Sequence, residues 1–110
     1  MNSDLTTLTL KDMQDGLRAG DFTSRNLVAS HLERIQRLEP RLHAFITLTA
    51  DRAQREALLA DDRIATARKK NQLAELPALT GIPIAVKDLI TVAGVRCTCG
   101  SAVLGEWEAP

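Results

Sequence analysis

The sequence has 110 residues, enough for one small domain, and its apolar fraction of 45% and charged fraction of 25% are typical of globular proteins. Its 14 basic residues balance its 14 acidic ones, which argues against a surface that binds nucleic acid by neutralising phosphates. With no Tyr, two Phe and one Trp, it is also poor in the aromatic side chains on which bases stack.

The sequence contains no pattern typical of a targeting or membrane segment. Its first stretch, MNSDLTTLTLKD, has neither a basic start nor a continuous apolar run, so we expect no signal peptide. No run approaches the ~20 apolar residues that a membrane span needs. Cys97 and Cys99 are separated by one residue, which does not fit an ordinary disulfide framework and indicates a reducing cytoplasm.

The first predicted helix covers the stretch LTLKDMQDGLRAGDF. Thr9 is a suitable N-cap, and Leu10, Met13 and Leu17 lie at helical spacing on one face. Gly20 follows the last apolar position and is typical of a helix end. The pattern therefore predicts a short amphipathic helix between Thr9 and Gly20.

Two longer helices are predicted after it. The second opens at Thr23 or Ser24 and should end before Pro40, because proline disfavours helical backbone in the residue before it. The third extends from Asp51 to about Lys70 and is rich in strong helix formers. The apolar positions of the second helix are Leu27, Val28, Leu32, Ile35 and Leu38, and the third has a narrow face formed by Ala53, Ala57, Ala60, Ile64 and Ala67.

The remaining segments are typical of extended chain and loops. HAFITLT, residues 43–49, predicts a short extended segment, and residues 69–81 predict an exposed loop. IPIAVKD, residues 82–88, is the best strand candidate, and a helical turn is expected to begin at Ser101. These few strands cannot close a sheet, so the chain is expected to be the front part of a larger α/β domain.

Lys87 directly follows the apolar run Ile84, Ala85 and Val86, which allows two interpretations. It can be a solvated lysine at a strand end, the commoner situation for lysine. It can also be a lysine kept in an apolar site to act as a base. A free lysine has a pKa near 10.4, so about one in 2,500 is neutral at pH 7. Lowering that pKa by about three costs about 4 kcal/mol and needs desolvation or a nearby cation.

The stretch LTGIPIAVKDLITVAGVRCTCGSAVL, residues 79–104, resembles the N-terminal motif of the amidase signature family. The resemblance extends upstream through LTLKDMQDGLRAGDFTSRNLVASHLERIQRLEPRLHAFITLTADRA. Within the family, RCTCGS and HAFITLT make the sequence most similar to the A subunits of glutamyl-tRNA(Gln)/aspartyl-tRNA(Asn) amidotransferases. KDLITVAGVR also suits general amidases.

The resemblance implies an α/β fold with a mixed sheet flanked by helices, of which residues 1–110 would be the N-terminal part of a single domain. It also implies a catalytic set of two serines and one lysine, with Lys87 as the lysine. Lys87 would exchange a proton with a serine that follows a cis peptide bond, and that serine would activate a second, nucleophilic serine. The family's serines lie in a Gly/Ser-rich segment that has no match before Pro110. This stretch alone is therefore expected to be inactive.

For the whole protein, the resemblance implies cleavage of glutamine through an acyl-enzyme and delivery of ammonia to partner B and C subunits. The partner would hold Glu-tRNA(Gln) or Asp-tRNA(Asn) and use ATP and Mg²⁺. The sequence has no phosphate-binding glycine loop, so no cofactor is expected in this chain. Two alternatives remain open: part of a general amidase that acts on another small amide, and a non-catalytic interaction module.

Other candidate residues have simpler interpretations. Ser101 suits a helix N-cap better than a nucleophile. Cys97 and Cys99 lack further ligands at zinc spacing and are expected to be buried thiols. His31 is expected to pack beside the apolar stripe of the second helix, and Asp88 to cap backbone groups in a turn. The basic stretch at residues 68–70 is expected to be a solvated helix end.

Overall fold

A computed structural model describes residues 4–110. Residues 1–3 lie outside this range; they begin the stretch that we expect not to be a signal peptide. Three α-helices form the framework: α1 (Leu10–Ala19), α2 (Ser24–Leu42) and α3 (Ala50–Lys69). Short 3-10 turns lie at Leu5–Thr7, Leu73–Glu75 and Ala102–Leu104. No helix within residues 4–110 is both long and apolar enough to cross a lipid bilayer.

Helix α1 begins and ends as its sequence predicts. The Thr9 hydroxyl accepts a hydrogen bond from the Asp12 N–H at 3.1 Å, and the Asp12 carboxylate accepts one from the Thr9 N–H at 3.1 Å. This reciprocal pair satisfies two backbone donors that a helix start otherwise leaves open. Gly20 ends the helix with a φ of 83°, in the left-handed region that glycine adopts without strain.

Helix α2 starts with a similar pair between Thr23 and Asn26, but it continues past the predicted end. Pro40 lies within its last turn, so the prediction that the helix ends before this residue is wrong. Proline lacks an N–H donor, and its ring crowds the carbonyl four residues earlier. The turn still closes across it, because the His43 N–H donates to the Glu39 carbonyl at 2.9 Å.

The core lies where α1, α2 and α3 meet. Leu17, Leu27 and Ile64 are its buried centre, and Leu27 has no exposed surface. The predicted small-residue face of α3 is confirmed at Ala57 and Ala67, both buried. Half-buried side chains from the loops and turns pack around this centre: Leu5, Leu8, Met13, Phe22, Leu73, Leu76 and Ile82. The segment predicted as an exposed loop after α3 therefore contributes Leu73 and Leu76 to the core.

The described residues contain helices but no strand, so they do not show the mixed sheet that the resemblance implies for the whole domain. The segments at 43–49 and 82–88 have no regular secondary structure, and the only β-type pairing in residues 4–110 is an isolated antiparallel bridge between Arg96 and Glu108. A strand needs a hydrogen-bonded neighbour along its length. Residues 82–87 form no ladder of backbone hydrogen bonds with another described segment.

Candidate functional site

The segment that carries Lys87 is attached to the helical core at Gly81. The Ser24 hydroxyl donates a hydrogen bond to the Gly81 carbonyl oxygen at 2.7 Å. Ser24 is 2% exposed, so this bond satisfies a polar group that would be costly to bury alone. Gly81 has a φ of 83°, and a Cβ at this position would lie 3.3 Å from a side-chain carbon of Leu17. The backbone conformation therefore favours glycine, and the space for a side chain at this position is tight.

The start of α2 that provides Ser24 is itself held by α3. The Asp61 carboxylate accepts hydrogen bonds from the Ser24 N–H at 2.6 Å and from the Arg25 N–H at 3.3 Å. It also pairs with the Arg25 guanidinium at 3.1 Å. A carboxylate at a helix N-terminus is favoured by the helix dipole as well as by these donors. The attachment point of the 82–87 segment is therefore fixed by two helices together.

Lys87 lies at the surface of the described residues, after an apolar segment that is also exposed. Ile84 is 73% exposed and Val86 is 45% exposed. The Lys87 carbonyl accepts a hydrogen bond from the Ile90 N–H at 2.9 Å, which closes a turn directly after the segment. Among residues 4–110, no carboxylate forms an ion pair with the Lys87 ammonium. Within the described residues, the apolar side chains before Lys87 are themselves exposed and do not enclose it.

Asp88 holds the other end of this segment, in a turn, as predicted. Its carboxylate accepts a hydrogen bond from the Thr98 N–H at 2.9 Å and a second from the Thr98 hydroxyl. These two bonds hold the pKa of the Asp88 carboxyl below its usual range, because they stabilise the charged form. The Asp88 carbonyl oxygen accepts a hydrogen bond from the Cys99 N–H at 2.9 Å. Lys87 is thus followed at once by a residue that is fixed to the 97–99 segment.

The two cysteines occupy different environments. Cys97 is 2% exposed, as expected, and its thiol donates to the Asp88 carbonyl oxygen at 3.6 Å. Burial raises the pKa of the Cys97 thiol, and the neighbouring Cys99 side chain adds to this effect. Cys99 is exposed, which corrects the expectation that both thiols are buried. Within residues 4–110, no group of three His, Cys, Asp or Glu side chains lies close enough to hold a metal ion.

Ser101, His31 and the basic stretch at residues 68–70 have structural contacts of their own. Ser101 accepts a hydrogen bond from the Val103 N–H at 3.2 Å, which confirms it as a cap. His31 is half-buried on α2, with Nδ1 2.8 Å from the Leu27 carbonyl oxygen. The basic stretch at 68–70 is exposed, but Arg68 also donates to the carbonyl oxygens of residues 17 and 18 at 3.2 and 3.3 Å. It therefore caps the end of α1 in addition to ending α3.

Comparison with known proteins identifies the family. Residues 26–110, more than three quarters of the chain, match the family model described as Amidase. The chain belongs to the amidase family. This confirms the resemblance inferred from residues 79–104 and places the chain in a family of enzymes. No solved structure gives a significant match.

Curated members of the family give a more specific similarity. The chain is 44% identical over 108 residues to the glutamyl-tRNA(Gln) amidotransferase A subunit of Granulibacter bethesdensis, and 43% identical over 107 residues to that of Pelobacter propionicus. These alignments cover 98% and 97% of the chain. The corresponding protein of Chromohalobacter salexigens is 43% identical over 102 residues, or 93% of the chain. The chain spans about a fifth of the length of these relatives.

Sequence reasoning located Lys87 and Asp88 but missed the residues that fix them. Ser24 and Gly81 are 57 positions apart, and Thr98 lies ten positions after Asp88. Gly81 does carry a local signal, because a glycine between a loop and an apolar run often marks a left-handed backbone position. Ser24 carries no such local signal, because a serine at a predicted helix start is expected to cap that helix and not to bond a distant segment.

Proposed function

We propose that this chain is the N-terminal part of a single amidase signature domain from a glutamine-dependent amidotransferase A subunit. The observation that supports this proposal is the 38–44% identity of the chain, over almost all its residues, to curated glutamyl-tRNA(Gln) amidotransferase A subunits. In the proposed fold, residues 82–87 become a strand of the mixed sheet when the rest of the domain supplies a neighbour. Their exposed apolar side chains and unpaired backbone fit such a position.

Lys87 is the proposed catalytic lysine. In its neutral form it would accept a proton from a serine hydroxyl, and that serine would accept one from the nucleophilic serine as it attacks the glutamine amide. As the acyl-enzyme forms, the relay serine would pass one proton to the leaving nitrogen, which departs as ammonia, and Lys87 would return its proton to that serine. Both serines belong to the remaining part of the domain. We therefore expect residues 1–110 alone to release no ammonia.

The geometry on either side of Lys87 supports this role. Proton transfer requires hydrogen-bond reach, so a catalytic lysine must be held at a defined position. The Ser24 hydroxyl fixes the chain at Gly81, and the Thr98 pair fixes it at Asp88. The ammonium itself has no carboxylate partner in residues 4–110, which leaves it available for serines that the rest of the domain brings to it.

ATP, Mg²⁺ and the tRNA are assigned to the partner B and C subunits in this proposal. Residues 4–110 contain no group of three His, Cys, Asp or Glu side chains that could hold a metal ion. The equal numbers of basic and acidic residues also argue against a surface that binds tRNA by neutralising phosphates. Ammonia released at the serines would pass to the partner, which would convert Glu-tRNA(Gln) or Asp-tRNA(Asn) to the amidated form.

The test is glutamine hydrolysis by the complete gene product, with Lys87→Ala and, as the matched control, Lys70→Ala. Lys70 is an exposed lysine directly after α3, on a different segment. We expect Lys87→Ala to lower ammonia release by at least about 100-fold, since a positioned acid–base group contributes that much. Lys70→Ala should have the wild-type rate. Wild-type activity in Lys87→Ala, with its circular dichroism unchanged, would contradict the assignment.

Activity on other amides separates the amidotransferase from the general amidase. An amidotransferase should hydrolyse glutamine and should copurify with a partner that binds tRNA. A general amidase should prefer another small amide and should need no partner. A complete gene product that hydrolyses neither would support the non-catalytic module instead.

A further inference from the structure

The segment that fixes Asp88 also contains two cysteines that donate to the same oxygen, Cys97 through its thiol and Cys99 through its backbone N–H. The Cys97 thiol donates to the Asp88 carbonyl oxygen at 3.6 Å, and the Cys99 N–H donates to the same oxygen at 2.9 Å. The Cys97 Sγ and the Cys99 backbone nitrogen therefore both lie within contact distance of one oxygen atom. The two cysteines are therefore neighbours in space as well as in sequence.

The backbone around them is sharply bent. Cys99 has a φ of 51° and Gly100 a φ of 71°, both in the left-handed region. Such a conformation is uncommon for a residue with a side chain. It is held at Cys99 by the bond to Asp88 and at Gly100 by a bond from its N–H to the Thr98 hydroxyl at 3.1 Å.

The spacing and exposure of the pair suit disulfide chemistry. Cα atoms two residues apart lie at most about 6.7 Å from each other in extended chain, within the distance that a disulfide spans. Among the described residues Cys99 is exposed, whereas Cys97 is buried. One thiol is thus placed to react first and the other to react with what the first has formed.

We propose that Cys97 and Cys99 are a reversible dithiol–disulfide pair that a small-molecule disulfide, such as glutathione disulfide, oxidises. The Cys99 thiolate attacks one sulfur of glutathione disulfide, which breaks its S–S bond, forms a mixed disulfide at Cys99 and releases one glutathione. The Cys97 thiolate then attacks the Cys99 sulfur, forms the Cys97–Cys99 bond and releases the second glutathione. The protons of both cysteine thiols pass through water to the two departing glutathione thiolates. The protein dithiol is oxidised and one glutathione disulfide is reduced.

A metal site explains the pair less well. Zinc in structural sites takes four ligands, and residues 4–110 bring no third His, Cys, Asp or Glu to these thiols. Disulfide formation needs only the two sulfurs. It also removes the thiol hydrogen that Cys97 donates to Asp88, the residue directly after Lys87. Oxidation would therefore act on the turn that follows Lys87, whether or not Lys87 is catalytic.

The experiment treats the complete, folded gene product with glutathione disulfide, blocks remaining thiols with an alkylating agent and digests with trypsin. Cleavage after Arg96 gives a peptide that starts at Cys97 and contains both cysteines, which mass spectrometry can read. Wild-type protein should yield the peptide with two hydrogens lost and no alkyl groups. Cys97→Ser should instead accumulate glutathione at Cys99, about tenfold above wild type, because the effective concentration of the neighbouring thiol is in the millimolar range.

Cys99→Ser is the matched control, since it leaves only the buried thiol. It should react at least about tenfold more slowly than wild type, because modification follows exposure of the thiol. The proposal is overturned if wild-type protein keeps glutathione on Cys99 without closing the ring. It is equally overturned if Cys99→Ser reacts as fast as wild type. Whether the Cys97–Cys99 bond forms is decided by wild-type protein alone, so this part of the test does not depend on the variants folding.

Discussion

Gly81→Ala tests whether the attachment of the 82–87 segment depends on the fit of residue 81 against the core. A non-glycine residue at a φ of 83° costs about 1–2 kcal/mol. The new Cβ would also lie 3.3 Å from Leu17 Cδ1 and Ser24 Cβ, and 3.4 Å from Ile64 Cδ1. Two of these neighbours belong to the buried centre of the core and can give way little, so overpacking adds about 1–3 kcal/mol. The expected total loss of unfolding free energy is about 2–5 kcal/mol.

Gly94→Ala separates the two contributions. Gly94 has a φ of 73°, but a Cβ there would have no atom within 4 Å. It should therefore incur only the backbone cost of about 1–2 kcal/mol. Urea unfolding of the complete gene product measures both variants. With a urea slope of about 2 kcal/mol/M, the midpoint of Gly81→Ala should lie about 0.5–1.5 M below that of Gly94→Ala. Equal midpoints would refute the packing argument and leave backbone conformation as the whole effect.

Two further changes test the core and the Asp88 turn. Leu27→Ala should lower the unfolding free energy by about 2–5 kcal/mol, because Leu27 has no exposed surface and a cavity remains. Leu42→Ala on the same helix, 63% exposed, should change it by less than about 0.5 kcal/mol, and similar losses in urea unfolding would contradict the core described above. Thr98→Val removes the hydroxyl bond that lowers the Asp88 pKa. The stabilisation of the ionised Asp88 carboxylate is complete above the ordinary Asp pKa of 3.8 and is lost as pH falls through the lower folded-state pKa. The variant should therefore be less stable than wild type at pH 7, and the difference in unfolding free energy should shrink in acid. A difference that is constant with pH would exclude this linkage.

The helices were predictable from sequence because their signals are local. Thr9 and Asp12 lie within one turn, and Gly20 follows the last apolar position of α1. The same reasoning failed at Pro40, where a general restriction on backbone conformation was treated as a helix end. A proline near the end of a helix removes one donor, and the bonds on either side of it can remain.

The extended segments were harder to predict because their structure depends on partners. IPIAVKD has the composition of a strand, but strand pairing is a property of two segments and residues 4–110 contain no second one beside it. The bond from Ser24 to Gly81 is similarly invisible in sequence, since it joins positions 57 residues apart. The position of Lys87 could be named from the family motif. What holds it there could be learned only from the structure.

The two attachment points beside Lys87 have a consequence for insertions and deletions. Gly81 and Asp88 are separated by the six residues 82–87, and each is bound to a different part of the fold. One added residue in this interval would move the lysine by up to about 3.4 Å relative to Gly81, more than a hydrogen bond can absorb. Changes of length in the connection between α3 and Gly81 would leave the interval intact. Homologous chains should therefore vary in length before residue 81 and keep six residues between the two attachment points.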